Sequence, residues 1–430
     1  MANRIQYRRD TAANWTAANP ILSLGEPGYE TDTGKRKIGD GATAWATLAY
    51  QIDKPTADAS YAPGGSPSAV TGGPFKGGYD RRLNIYNLKP YHLRKTRALL
   101  GLAAAGVGTC KIAFCGDSTT EGVGSGSAVL QNTMSWPAQF ASLLNGKGYG
   151  VDGRGLVNCY PNNTGVWSQW SFSPALGTTN AYRQFNSGIG LAFIIATSTS
   201  STATFTSDLA GTVADIYYLN SGGSFTYSID GGAAVTVTPN GSQTVGVVTV
   251  TGLANATHTI LITSTSANSQ ILGAMVRNST TKGTFIYNSG LGGSKTADWI
   301  QSGAWYGQAN LVANGWHPNL SFLMLGINDL NTGVTSSTYK ANMQTLITTL
   351  KASGDLVLVT PVPGSGLDLT AYLQALYELA DSNDVPLIDL VDRWKDQPTM
   401  NGYGLYYDTL HPNAGGYADL SRSVLNALAL

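Results

Sequence analysis

Five short stretches of the chain are almost continuously apolar: "KIAFC" (111–115), "GTFIYNSG" (283–290), "SFLMLGIND" (321–329), "LVLVTPV" (356–362) and "VPLIDLVD" (385–392). Runs of that length, closed by Gly, Asp or Pro, predict strands buried on both faces. Between them the apolar spacing becomes helical. In "STYKANMQTLITTLKASG", Met343, Leu346, Ile347 and Leu350 follow the i, i+3, i+4, i+7 rule, with Gly354 as a stop. "YHLRKTRALLGLAAAG" and "SWPAQFASLLNGKG" read as two more helices, the second with Pro137 in its first turn, where a missing N–H costs little. Alternating buried strands and helices predict an α/β domain with a doubly wound, five-stranded parallel sheet.

The pattern changes within residues 160–282. There apolar residues alternate with Thr and Ser and break at Gly-Gly, Asp-Gly-Gly and Asn-Gly. Short strands at that spacing predict a β-sandwich inserted into the α/β domain, which takes residues 80–159 and 283–430. Residues 1–52 form a separate small, β-rich unit with turns at Gly25–Gly28, Thr33–Gly34 and Asp40–Gly41, too small to bury much of a core alone. Residues 53–79, rich in Pro, Gly, Ser and Ala, have the composition of a linker.

Charge narrows the function. The net charge is +0 and charged residues make up only 12% of the chain, against roughly 25% in an average soluble protein. That balance argues against nucleic acid as a partner. No apolar run is long enough for membrane insertion, and "MANRIQYRRD" has no apolar core of a secretory signal, so synthesis in a host cytoplasm is expected. Cys110, Cys115 and Cys159 are too few and too irregularly spaced for a disulfide framework or a zinc site. No cofactor and no metal are expected.

The candidate chemistry lies at the strand ends. "AFCGDSTTEG" stops a buried strand on Gly-Asp-Ser, placing Ser118 where an open α/β sheet presents its ligands. A serine nucleophile needs a base and donors for the oxyanion. The chain has 4 histidines. His258 falls inside the β insert, His92 precedes the first long strand, and His317 precedes "SFLML" at the wrong edge of the sheet. His411, in "YYDTLHPNAGGYADL", follows the last strand, with Asp408 close enough to orient its ring. Asn328, in "GIND", ends the third strand and would project into the same crevice. The glycines of "NSGLGGSKTADW" let backbone approach a substrate oxygen.

These four segments, in this order, resemble the SGNH (GDSL-type) hydrolase superfamily, over roughly residues 107–155 and 283–430. The resemblance implies a flavodoxin-like fold with Ser118 as nucleophile, His411 as base and then acid, and Asp408 orienting it. It also implies an oxyanion hole made by the Ser118 and Gly293 backbone N–H groups and the Asn328 side chain. "GDSTTEG" departs slightly from the usual sequence after the serine, and the long insert is foreign to the common core.

The segment "ANPILSLGEPGYETDTGKRKIGDGATAW" resembles the amino-terminal modules of bacteriophage tail-fibre and tail-tip proteins. That resemblance implies a virion tail location, attachment to tail or baseplate proteins through the N-terminus, and a homotrimer. The expected activity is ester hydrolysis, removing O-acetyl or similar acyl groups from a host cell-surface polysaccharide. Two alternatives stay open: a non-catalytic, lectin-like receptor-binding fibre, and an esterase for acylated cell-wall lipids. The insert is either a carbohydrate-binding module, with Tyr217, Tyr218, Phe225 and Tyr227 as stacking candidates, or a spacer.

Overall fold

The computed structural model describes residues 8–50, 79–80, 83–126, 133–151, 157–158, 169–173, 182–184, 194–196, 199–242, 244–278, 282–300, 309 and 311–427. The chain separates into two compact units, Met1–Thr71 and Gly72–Leu430. Most of the expected linker, and Cys159, lie outside the described residues. Among those described, no helix is long and apolar enough to cross a membrane.

In the first unit, strand Pro27–Glu30 pairs with Arg8–Asp10 on one side and Arg36–Ile38 on the other. Helix Ala12–Ala18 is capped by Thr11, whose side chain accepts from the Asn14 N–H. The unit has a small core, made of Trp15, Leu22, Trp45 and Leu48, with the two indoles stacked at 4.1 Å. Polar residues of the segment pack beside that core or cap its turns. Lys37 is buried, donates to the Trp45 carbonyl at 2.6 Å and lies over the Trp45 and Tyr50 rings; burial lowers its pKa. Buried Glu30 accepts from the Tyr50 hydroxyl at 2.6 Å, and Asp40 accepts from the N–H groups of Ala42 and Thr43.

The second unit is built on a seven-stranded sheet: β1 (Tyr79–Asp80), β2 (Ile85–Tyr86), β3 (Cys110–Gly116), β4 (Thr284–Gly290), β5 (Leu320–Met324), β6 (Asp355–Val359) and β7 (Leu387–Ile388), in the order β4-β3-β5-β6-β7-β2-β1. The pairs from β4 to β7 are parallel. The five-stranded expectation is corrected by β2 and β1, which extend the edge antiparallel. Side chains of β3 alternate as a strand covered on both faces must. Cys110, Ile112 and Phe114 pack with helices α1 (Arg94–Ala104), α2 (Trp136–Gly146) and α5 (Ala414–Ala427), while Ala113 and Cys115 face α3 (Ser336–Lys351) and α4 (Thr370–Asn383). Strand order reverses around β3, so β3 and β5 leave side by side at the crevice where such sheets take ligands.

Between β3 and β4 the chain builds two antiparallel sheets. Ala214, Ile216, Ile271 and Ala274 of one sheet meet Trp170, Phe205, Phe225 and Ile262 of the other in a shared core. The other face of the first sheet is also covered: Tyr217, Leu219, Leu272 and Met275 pack with the α3–α4 side of the α/β layer. The insert is docked on the α/β layer. His258, expected as a strand or turn residue, is buried at the start of strand Thr259–Ser264. Its Nδ1 meets Asp230 at 2.6 Å and its Nε2 meets the carbonyls of Ala254 and Gly211. Burial works against its charged form, but these partners outweigh it and raise its pKa.

Candidate active site

Strand β3 ends at Gly116, and Asp117 caps a single helical turn, Ser118–Glu121. The Asp117 carboxylate accepts from the Thr119 N–H at 2.9 Å and from its hydroxyl at 2.7 Å. That turn packs so closely on β4 that a Cβ at Gly290 would lie 2.1 Å from the Glu121 nitrogen. Ser118 is thereby fixed at the first position of the turn, 6% exposed.

The histidine comes from the far end of the chain. The Tyr407 and Asp408 N–H groups both donate to the His411 carbonyl, closing a tight turn before α5. Within it, Asp408 Oδ1 accepts from the N–H groups of Leu410 and His411, and Oδ2 lies 2.8 Å from His411 Nδ1. His411 Nε2 is 2.9 Å from Ser118 Oγ. Because carboxylate Oδ2 can only accept, Nδ1 carries the proton, Nε2 is the acceptor and the Ser118 hydroxyl donates to it. Burial opposes the Asp408 charge, yet the hydrogen bonds from His411 and Leu410 prevail and hold its pKa below the usual carboxylate value. The structure therefore brings Ser118, His411 and Asp408 into one hydrogen-bonded line.

A loop following Ser118 holds the histidine turn. Gly124 has φ +91, and a Cβ there would lie 2.6 Å from the Pro412 carbonyl oxygen, 2.9 Å from Tyr407 Cβ and 3.1 Å from His411 Cβ. The contact could not be read from sequence, which offers only one glycine among several. Gly124→Ala combines backbone strain with overpacking, and we expect a stability loss of about 1–3 kcal/mol together with a lower kcat. Thermal unfolding and steady-state rates check this; a variant matching the wild type in both would show that the loop does not support the turn.

Asn328 lies in a short helix, Ile327–Asn331, after β5, and Gly293 in the loop after β4. The Asn328 amide donates one hydrogen to the Ser294 carbonyl at 3.0 Å, tying that helix to the glycine loop. Gly293 is exposed with φ +73. Asp329, which sequence reasoning missed, is buried and accepts from the Thr296 N–H at 2.9 Å and its hydroxyl at 2.5 Å, anchoring the far side of the glycine loop. Burial raises its pKa against those bonds. The other histidines do not enter the site: His258 belongs to the insert, and His92 lies 3.3 Å from Asp384. Cys110 and Cys115 are buried and free, and burial pushes the Cys110 thiol up to about 12.

Asp117 has a measurable consequence. Burial, partly offset by Thr119, raises its pKa to about 6, above an unfolded value of about 3.9. The folded state binds the proton more tightly, so this residue's stabilising contribution is present below the unfolded pKa and is lost as pH rises toward 6. Asp117→Asn keeps an oxygen for Thr119 and cannot ionise. Its stability relative to wild type should rise between pH 4 and 6 by on the order of 2 kcal/mol. Urea midpoints across that range decide; a constant difference would contradict the shift.

Comparison with known proteins adds the family. Residues 253–418 match the GDSL-like Lipase/Acylhydrolase family. The chain carries a GDSL-like acylhydrolase domain. The match takes in Gly293, Asn328, Asp408 and His411 but begins after Ser118, which the insert separates from the rest in sequence. Residues 5–43 match the Major tropism determinant N-terminal domain. A solved peptidoglycan O-acetylesterase, 16% identical, superposes with a TM-score of 0.57 over 78% of this chain and 95% of its own, so the GDSL-like domain shares its fold. That share exceeds what segments 80–159 and 283–430 can supply, so the likeness runs into the insert. Two curated relatives are hyaluronoglucosaminidases of Streptococcus pyogenes phages: H4489A at 45% identity over 47 residues, and H10403 at 43% over 47. Those stretches are 11% of this chain and only 13% and 14% of the relatives.

Proposed function

We propose that this GDSL-like chain is a phage tail-associated serine ester hydrolase that removes O-acetyl or similar acyl groups from host cell-surface polysaccharide. The observation that carries the reading is the line Ser118–His411–Asp408, with hydrogen bonds of 2.9 and 2.8 Å. Ser118 Oγ attacks the ester carbonyl carbon as His411 Nε2 takes its proton. Asp408 keeps the ring in the required tautomer and stabilises the imidazolium. The carbonyl oxygen becomes an oxyanion, held by the Ser118 and Gly293 N–H groups and by the Asn328 amide hydrogen not given to Ser294. The tetrahedral centre collapses, the C–O bond to the sugar breaks, and His411 protonates the departing alkoxide. Water, deprotonated by His411, then releases the acid from Ser118. Every proton in the cycle is carried by His411.

The match of residues 5–43 to a tropism-determinant module supports placing the chain on the virion tail, joined to tail or baseplate proteins through its first unit, and homotrimeric assembly belongs to the same proposal. The test is release of acetate from purified host polysaccharide alongside hydrolysis of p-nitrophenyl acetate. Tight binding of polysaccharide with no acid released from either ester would instead make the chain a receptor-binding fibre.

A further inference from the structure

Resting on the ester-hydrolase reading, we propose that Tyr407 is a substrate-specificity residue: its ring is the platform on which the pyranose bearing the acyl group lies while the ester reaches Ser118. The four stacking candidates of the sandwich offer no such platform. Phe225 is fully buried in the sandwich core, Tyr217 is buried against the α/β layer, and Tyr218 and Tyr227 pack on the sandwich core. The outward row of the second sheet runs Ser173, Thr202, Thr263, Thr226, Thr236 in cross-strand register, all short hydroxyl side chains. Trp170, Phe172, Phe205, Tyr217, Tyr218, Phe225 and Tyr227 are all absent from the exposed large side chains.

The α/β domain differs. Tyr407 is 68% exposed, and its Cβ and the His411 Cβ both lie within 3.1 Å of the position a Gly124 Cβ would take. Its backbone is pinned by the N–H bond to the His411 carbonyl at 2.8 Å and by the bridge between Tyr406 and Pro412. Tyr406 turns inward, its hydroxyl donating to the Pro363 carbonyl at 2.5 Å, so its neighbour is turned to solvent. The result is a solvent-exposed aromatic ring rooted on the same turn as the histidine base. A pyranose presents one face of C–H groups that fits an aromatic face, and the phenol at the ring's end can exchange hydrogen bonds with sugar hydroxyls. A lipid acyl ester has no such face to offer.

The experiment compares Tyr407→Ala, Tyr407→Phe and wild type on acetylated xylan and on p-nitrophenyl acetate, which has no pyranose. Expected for Tyr407→Ala is a KM for acetylated xylan raised about tenfold with kcat nearly kept, the usual size for truncating an aromatic contact. Tyr407→Phe should restore most of that loss, and the ratio of xylan to p-nitrophenyl acetate activity should fall about tenfold only in the alanine variant. An equal loss on both esters would overturn the proposal, because Tyr407 would then only support the His411 turn. Wild-type hydrolysis of p-nitrophenyl acetate with none of acetylated xylan would overturn it while leaving the esterase standing. Failure on both esters would remove the esterase reading and this one with it.

Discussion

Replacing Ser118 by alanine is expected to lower ester hydrolysis by at least about 10³-fold while leaving the fold intact. Removing a nucleophile that works with a base and an oxyanion hole costs factors of that size or greater, and a residual rate over water survives from the remaining groups. Structure argues for an intact fold. Ser118 loses only its oxygen, whose recorded partner is His411, while the turn is capped by Asp117 through Thr119. Acetate release and p-nitrophenyl acetate rates, read beside an unfolding curve, check both halves. Retained turnover in a folded variant would assign the chemistry to another residue.

The second large effect is expected at Asn328. Its alanine variant should lower kcat by roughly 10²–10³ with a smaller change in KM, as for loss of an oxyanion donor that acts mainly on the transition state. The bond from Asn328 to the Ser294 carbonyl at 3.0 Å makes this position doubly important, because losing it also frees the loop that carries the Gly293 N–H. A variant that raised KM at unchanged kcat would make Asn328 a ground-state binding residue.

Much of this was legible in the chain because burial writes itself plainly. Strands β3 to β7 lie between helical layers, so their sequences are nearly continuous in apolar residues. Their ends stand out as abrupt changes to Gly, Asp and Asn, which marks Ser118 and Asn328, whereas His411 follows from setting aside the other three histidines and from its place after the last strand. The edge strands β1 and β2 escaped because two residues each show no periodicity. Alternation in the insert gave two faces but could not say that both faces of the first sheet are covered, which buries Tyr217, or which face of the second sheet turns inward, which buries Phe225 in the core between the sheets. Gly124, Asp329 and Tyr407 were hidden for a different reason. Their importance comes from contacts between loops distant in sequence, such as the Ser118 and His411 segments, 293 residues apart. No local pattern encodes such a meeting.

The central claim is that His411 and Asp408 activate Ser118 as a nucleophile, and reaction with a serine-directed fluorophosphonate tests it most directly. Intact-mass and peptide analysis of the full chain should find one adduct, on Ser118, absent from Ser118→Ala and formed far more slowly in His411→Ala. No adduct on the folded wild type, or an adduct on another serine that survives the Ser118 substitution, would contradict the account.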